Sequence, residues 1–357
     1  MTVTDANRGA AGGAAARAAR PRLVVATTYP IHPPLGGGQV RAAQLYGGLT
    51  DAYDVELVTL AAAGAPGGRR QIARGIAEHQ VPKSDAHAAR ELELQRAAGT
   101  VITDIAFSEL HPETPEYVTV LRHAAAGARA VVACHPYAFP AIREATELPV
   151  WYEAQDVEAS LKRHVLGSSP EARRLLALAE AVERDCCRQA ELVLACSAED
   201  RAELIERYGT EPGRVLVVPN GAALDETEFV SPTQRLERKR RLGLEGRFLA
   251  LFIASWHEPN LVAARELVQL ATRVPEVDVM ILGGVGLAFV GEALPPNVQV
   301  TGIVSAEFKQ TVLGIADVAL NPVRTGSGTN LKMVEYYASG TPVISTAFGA
   351  RGLGVRA

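Results

Sequence analysis

Lys332 and Glu335 stand three residues apart, directly behind the run Gly326-Ser327-Gly328-Thr329-Asn330. Ser, Thr and Asn are helix N-capping types, so a helix is expected to begin near Gly328–Asn330 and to stop at Gly340, a natural C′ residue. On such a helix Lys332 and Glu335 share a face. Its first turn exposes unpaired N–H groups and a partial positive charge, which together attract an anion, and the glycines let a ligand approach the backbone closely. The helix terminus alone offers only ~0.3–2 kcal/mol towards an anion. A diphosphate therefore needs cations as well, and Arg324 and Lys332 are the local supply. A carboxylate one or two turns further in can accept hydroxyl protons. Phosphate and hydroxyl recognition together point to a nucleotide.

Three further stretches carry chemistry. Gly36-Gly37-Gly38 follows an apolar run and opens a helical pattern. It is neither the GxGxxG fingerprint nor a Walker A loop, and it reads either as a flexible loop or as a cover over a ligand. His135 closes the apolar run Arg129–Cys134, where a side chain projects towards a sheet's ligand-binding edge. Glu153, Asp156 and Glu158 follow in the same way after Pro149–Ala154. Asp156 either caps the helix that follows or serves an acceptor.

These residues need elements to hold them. Leu23–Thr28, Val55–Ala61, Arg129–Cys134, Pro149–Ala154, Glu191–Ser197 and Arg214–Gly221 are short β-rich runs separated by helix-length segments, with Val40–Leu49 the first helix. Continuous apolar strands are buried on both faces, as in a parallel sheet flanked by helices. A second series runs through Arg247–Ser255, Val277–Gly284, Val298–Gly302, Ala316–Pro322 and Thr341–Thr346. The expected fold class is α/β, two Rossmann-like domains in tandem. The expected division is a disordered tail over 1–20, a first domain over 21–221, a linker with an exposed helix over 222–247, and a second domain over 248–357. The second domain is expected to be incomplete, because the sequence stops just after its fifth strand.

Composition narrows the classes. A net charge of −4 over 357 residues argues against a nucleic-acid partner. The cysteines, Cys134, Cys186, Cys187 and Cys196, have no zinc-type spacing, and the adjacent pair is a poor disulfide, so a reducing cytoplasm is expected. No apolar run is long enough to span a membrane. The basic run Arg238-Lys239-Arg240-Arg241 could touch an anionic membrane surface weakly and peripherally, although a solvated helix face accounts for it equally simply.

The segment Asn321–Leu353 reads NPVRTGSGTNLKMVEYYASGTPVISTAFGARGL. It resembles the group 1 glycosyltransferases of the retaining GT-B clan that includes sucrose-phosphate synthase, in the subgroup with Pro-x-Arg-x-Gly-Ser-Gly-Thr. Phe252–Asn260 is similar to that subgroup's first strand and loop in the second domain. The resemblance runs from about Arg22 to the end. It implies transfer of a sugar from a nucleotide diphosphate sugar to an acceptor hydroxyl, with retention, and with neither metal nor cofactor.

It also implies roles. Glu335 would hold the ribose hydroxyls. Arg324 and the stretch Ser327, Gly328, Thr329, Asn330 and Lys332 would hold the diphosphate. Gly36–Gly38 would close over the phosphates or the acceptor side, His135 would contact the donor sugar as the catalytic residue, and the base would pack near Thr301–Val304. Where the clan carries the first of two spaced glutamates, this chain has Ser327. Two alternatives share the fold: a nucleotide-sugar-binding protein without catalysis, and a sugar-nucleotide epimerase. A dinucleotide-dependent oxidoreductase is disfavoured, because neither glycine loop carries the fingerprint.

Overall fold

The computed structural model describes residues 20–354 except Asp225 and Ser327. Nearly all of the expected tail and the Ser327 site assignment lie outside the described residues. Within them the chain forms two sheets. The first is ordered β3-β4-β2-β1-β5-β6-β7-β8, from β1 (Arg22–Thr27), β2 (Asp54–Ala61), β3 (Gly68–Ala73), β4 (Ile76–Pro82), β5 (Ala130–Cys134), β6 (Val150–Ala154), β7 (Leu192–Ala195) and β8 (Val215–Val217). The second is ordered β11-β10-β9-β12-β13, from β9 (Phe248–Ile253), β10 (Val277–Leu282), β11 (Val298–Val300), β12 (Val318–Asn321) and β13 (Val343–Ser345). Every pairing is parallel except β3 with β4.

The continuous apolar runs are the buried strands. β5 is buried at every position, and Leu23, Val25, Ala130 and Val132 form one side of the first sheet's core while Val24, Ala26, Val131 and Ala133 form the other. Two strands are not expected from the sequence. β3 is almost wholly exposed, and β4 carries Glu78 and His79, so neither shows an apolar run. Glu78 is nonetheless buried, held by Arg70 at 2.9 Å and by the backbone N–H of Ile31 at 2.7 Å.

The helix Pro232–Arg241, capped by Ser231 with Gln234, follows the first sheet. Most of its positions are exposed, and two cations, Arg235 and Lys239, are buried. Arg235 is 6% exposed and donates to the carbonyls of Leu313, Ala316, Val230 and Gly340. Lys239 is buried against Asp317 at 2.6 Å. Arg238, Arg240 and Arg241 pair with Glu228, Glu245 and Glu237. The basic run is thus a set of ion pairs, and two of the helix's cations bind it to the second sheet's unit. Among the described residues no helix is long and apolar enough to cross a membrane. All four cysteines are free and buried.

Candidate functional site

In each sheet the strand order reverses between two central strands, and ligands of open α/β sheets bind beyond the carboxyl ends of the strands at that reversal. In the second sheet the reversal lies between β9 and β12. The helix Leu331–Ala338 follows β12, with Asn330 at its N-cap and Ser339 at its C-cap. Lys332 reaches from its first turn to Asn260 Oδ1 at 2.8 Å, across the reversal, and its ammonium lies 4.6 Å from the centre of the Phe252 ring. Burial pushes Lys332 down to about 7. No carboxylate pairs with it among the described residues, so a half-buried amine stands at the head of a helix without a counter-ion.

The turn before this helix is left-handed at both glycines, with φ of +126° at Gly326 and +60° at Gly328. A Cβ on Gly328 would lie 2.3 Å from Asp156 Oδ1 and 3.0 Å from the Gln155 carbonyl. The second unit's turn therefore rests on the first unit at Asp156. Asn220 donates to Thr329 Oγ1 and accepts from Arg41 Nη1 at 2.8 Å, while Arg41 Nε meets the buried Glu153 at 2.8 Å. Arg351 clasps the Gly328 carbonyl, at 3.1 Å from Nε. Asn330 donates to the Gly349 carbonyl at 3.1 Å.

Glu335 and Lys332 do not pair. Glu335 Oε1 lies 2.5 Å from Lys309, on the preceding helix Ala306–Ile315. Arg324 is 69% exposed and meets Glu266 at 3.1 Å. It lines a cavity with Asp200 and Arg351, apart from the Lys332 contacts with Asn260 and Phe252.

The first sheet's reversal lies between β1 and β5. The glycine loop after β1 becomes the N-terminus of the helix Gly37–Gly47, three residues earlier than the sequence suggests, with Gly36 at the N-cap. Gln39 Oε1 accepts the N–H of Gly36 at 2.7 Å. Gly37 faces Leu331 of the other unit, where a Cβ would lie 3.4 Å from its side chain. A Cβ on Gly38 would lie 2.5 Å from Gln155 Oε1 and 2.8 Å from Tyr29 Oη. His135 follows β5 and is the one non-glycine residue with positive φ (+70°) among the described residues. Such a backbone costs on the order of 1–3 kcal/mol and is kept only where its surroundings impose it.

Those surroundings are polar. His135 Nδ1 lies 2.6 Å from Glu158 Oε1, and Nε2 lies 3.0 Å from Tyr29 Oη. Burial alone would lower the imidazole, but the Glu158 hydrogen bond and charge outweigh it and raise His135 to about 9. Glu158 is buried too, which opposes its charge, yet Lys162 and His135 hold it down at about 2. His135 is therefore a cation whose two N–H groups are both used within the protein.

Asp156 does not cap the helix Glu158–Val165, whose N-cap is Val157 with no side-chain cap bond. The first N–H groups go instead to Glu183, from Glu158 at 2.8 Å and from Ala159 at 2.9 Å. Sequence reasoning missed Tyr29, Arg41, Glu183, Asn220 and Lys309. Each acts through a partner distant in sequence, and spacing carries no signal for such pairs. Among the described residues no three His, Cys, Asp or Glu side chains group as metal ligands.

A family model described as a glycosyl transferase 4-like domain matches residues 36–221, and one described as glycosyl transferases group 1 matches residues 247–354. A D-inositol 3-phosphate glycosyltransferase of Geodermatophilus obscurus is 29% identical over 199 residues, covering 49% of this chain and 42% of that protein. One of the same description from Nocardiopsis dassonvillei is 27% identical over 173 residues, covering 47% and 38%. The match therefore spans less than half the length of these curated relatives. Among solved structures, a sucrose-phosphate synthase from Thermosynechococcus elongatus superposes with a TM-score of 0.72 at 16% identity, covering 93% of this chain and 82% of that one. HepE of Anabaena, in complex with UDP and glucose, superposes at 0.61 and 16% identity, covering 92% and 82%. These likenesses establish the two-unit α/β architecture of GT-B enzymes.

Proposed function

Since this chain belongs to the glycosyl transferase 4-like family, with its second half matching the group 1 glycosyl transferases, we propose that it moves a glycosyl group from a nucleoside diphosphate sugar to an acceptor hydroxyl. The observation that carries the reading is Lys332: a half-buried amine without a counter-ion among the described residues, in the first turn of a helix, at the sheet's strand-order reversal. A diphosphate supplies the missing negative charge, and the helix N–H groups add to it.

The remaining roles follow from position. Glu335 shares its carboxylate between Lys309 and the ribose hydroxyls. Gly328, Thr329 and Asn330 present backbone to the phosphates, and Gly36–Gly38 face them from the first unit. Arg324 stands at the margin of this site, where its exposed guanidinium can swing inward. His135 acts as a fixed cation beside the sugar, steadying charge on the departing diphosphate, because both its N–H groups are already donated. Asp156, against Gly328, lies on the acceptor side. Retention follows the clan the sequence resembles. The protein cations Lys332 and His135 would do the work that a metal ion does elsewhere. The UDP named with HepE makes a uridine nucleotide the first donor to try.

The experiment is thermal stabilisation by UDP, GDP, dTDP and ADP, with NAD as a control, in the parent and in Glu335→Ala. A ligand at 100 times its Kd adds about 2.7 kcal/mol of apparent stability. Stabilisation by one diphosphate that Glu335→Ala abolishes supports the donor site. Release of that diphosphate from its sugar conjugate then separates an enzyme from a binding protein. Silence towards every diphosphate sinks the reading.

A further inference from the structure

A cavity of about 260 Å³ lies between the two units, away from Lys332. The first unit contributes Ser160, Asp200 and Glu203 from its helices Glu158–Val165 and Ala198–Tyr208. The second contributes Arg324, Phe348 and Arg351 from the turns after β12 and β13. Asp200 is 3% exposed, and its Oδ2 accepts no hydrogen bond among the described residues. The nearest cation, Arg351, comes only to 3.9 Å of the other carboxylate oxygen. A buried carboxylate oxygen left without a donor is costly and calls for an occupant that supplies one.

The lining says which occupant. Asp200 and Glu203 stand against Arg324 and Arg351, with His164 beside them, so the acids balance the guanidiniums and leave no strong positive excess to draw a phosphate. Glu203 already accepts from Ser160 and Arg207, Arg324 meets Glu266, and Arg351 donates to the Gly328 carbonyl. The open demand is a donor for Asp200 Oδ2 and acceptors for the remaining guanidinium N–H groups, and a hydroxyl group is both. Several hydroxyls on one rigid frame meet alternating acids and guanidiniums, and Phe348 provides an apolar wall for a C–H face. The volume lies below the usual range for nucleotide- or drug-sized ligands, which leaves room for one ring. We propose that this cavity binds a neutral polyhydroxyl compound of single-sugar-ring size, separately from the diphosphate at Lys332. The site exists only when the two units stand as they do here, because its walls come from both. It rests on that arrangement and not on the donor assignment.

The test is calorimetric titration and ligand-observed saturation-transfer NMR on the full chain. The probes are methyl α-D-glucopyranoside and myo-inositol, with inorganic phosphate as the charged comparison. Asp200→Asn keeps the shape and removes the acceptor charge. Phe348→Ala alters the opposite wall and serves if the first variant fails to fold. Glu199→Gln, on the same helix, is the control. Saturable binding of at least one neutral probe is expected, weakened tenfold or more by Asp200→Asn or by Phe348→Ala and unchanged by Glu199→Gln. UDP binding, read in parallel, should persist in both cavity variants and vanish in Lys332→Met, whose polyol binding should persist. No saturable binding of either probe, binding in both cavity variants as tight as the parent's, or displacement of the probe by phosphate would each overturn the proposal. Loss of UDP binding alone leaves the polyol result standing and strikes only the donor reading.

Discussion

Glu183 Oε1 accepts the backbone N–H of Glu158 at 2.8 Å, so a helix that begins beside the cleft is capped from another helix 25 residues along the chain. Glu183 Oε2 accepts from Ala159 and, at 2.7 Å, from Tyr208, while Tyr152 donates to Oε1 at 3.0 Å. Four donors converge on one buried carboxylate. The position of Glu158, and hence of the strained His135, is thereby fixed by Glu183, Tyr152 and Tyr208 from other elements of the first unit.

Glu183→Gln should therefore destabilise the chain by about 2–3 kcal/mol, since an amide oxygen cannot serve four donors and leaves some buried and unpaired. Burial raises the Glu183 carboxyl to about 7. A raised acid binds its proton more tightly folded than unfolded, so its contribution is present at low pH and is lost as pH rises from about 4.5 through 7. Urea midpoints across that window should fall for the parent and flatten for Glu183→Gln. Parallel curves would rule out the assignment.

His135 behaves in the related sense for a base. Its folded value of about 9 lies above the ordinary one, so the stability it contributes is complete below about 6.5 and disappears as pH rises through 9. Glu158, held at about 2, contributes above about 4.5 and loses that contribution as pH falls towards 2. The pair is worth most between those limits. The difference in urea midpoint between the parent and His135→Asn should peak near pH 5–6 and shrink on either side.

Lys332 slopes the other way. Because burial holds it near 7, charging it in the folded state opposes folding below about 7, and this opposition fades as pH rises towards about 10.5. A bound diphosphate would restore the ordinary basicity. Nucleotide binding at pH 8 should thus take up close to one proton and at pH 6 almost none. Calorimetry in buffers of different ionisation enthalpy reads this directly, and Lys332→Met should show no uptake at either pH.

Gly328 carries the contact between the units. With φ of +60° and Asp156 Oδ1 at 2.3 Å from where a Cβ would stand, Gly328→Ala is strained by on the order of 1–3 kcal/mol, and the Asp156 side chain or the turn must shift to admit the methyl. The urea midpoint should fall by a corresponding amount, with diphosphate binding weakened about tenfold. An unchanged midpoint would mean that the turn carries no strain there.

The architecture was legible where burial is one-dimensional. The runs LVVA and AVVAC are apolar at every position because a central parallel strand is covered on both faces. GRRQIA and IAEHQVP were not legible, because an exposed antiparallel edge strand needs no apolar run and its inner neighbour buries a charge-paired Glu78. The Gly326–Lys332 turn could be read because its chemistry is local in sequence. Lys309 against Glu335, Tyr29 against His135 and Asn220 against Thr329 join residues 26, 106 and 109 positions apart. Such pairs exist only once the sheets are assembled. Arg235 and Lys239 mislead for a different reason. A long cation that buries its stem and spends its head on carbonyls has the same letter as one in water.

Arg235 has a mechanical consequence. By binding carbonyls from Val230 to Gly340, it makes the helix Pro232–Arg241 part of the second unit and not a piece of free cable between the two. Any swing of one sheet against the other must then be taken up between the last residue of β8, Val217, and Val230. Asn220, on this short connection, is held by Arg41 from one side and donates to Thr329 on the other, so the strap that joins the units is itself a bridge between them.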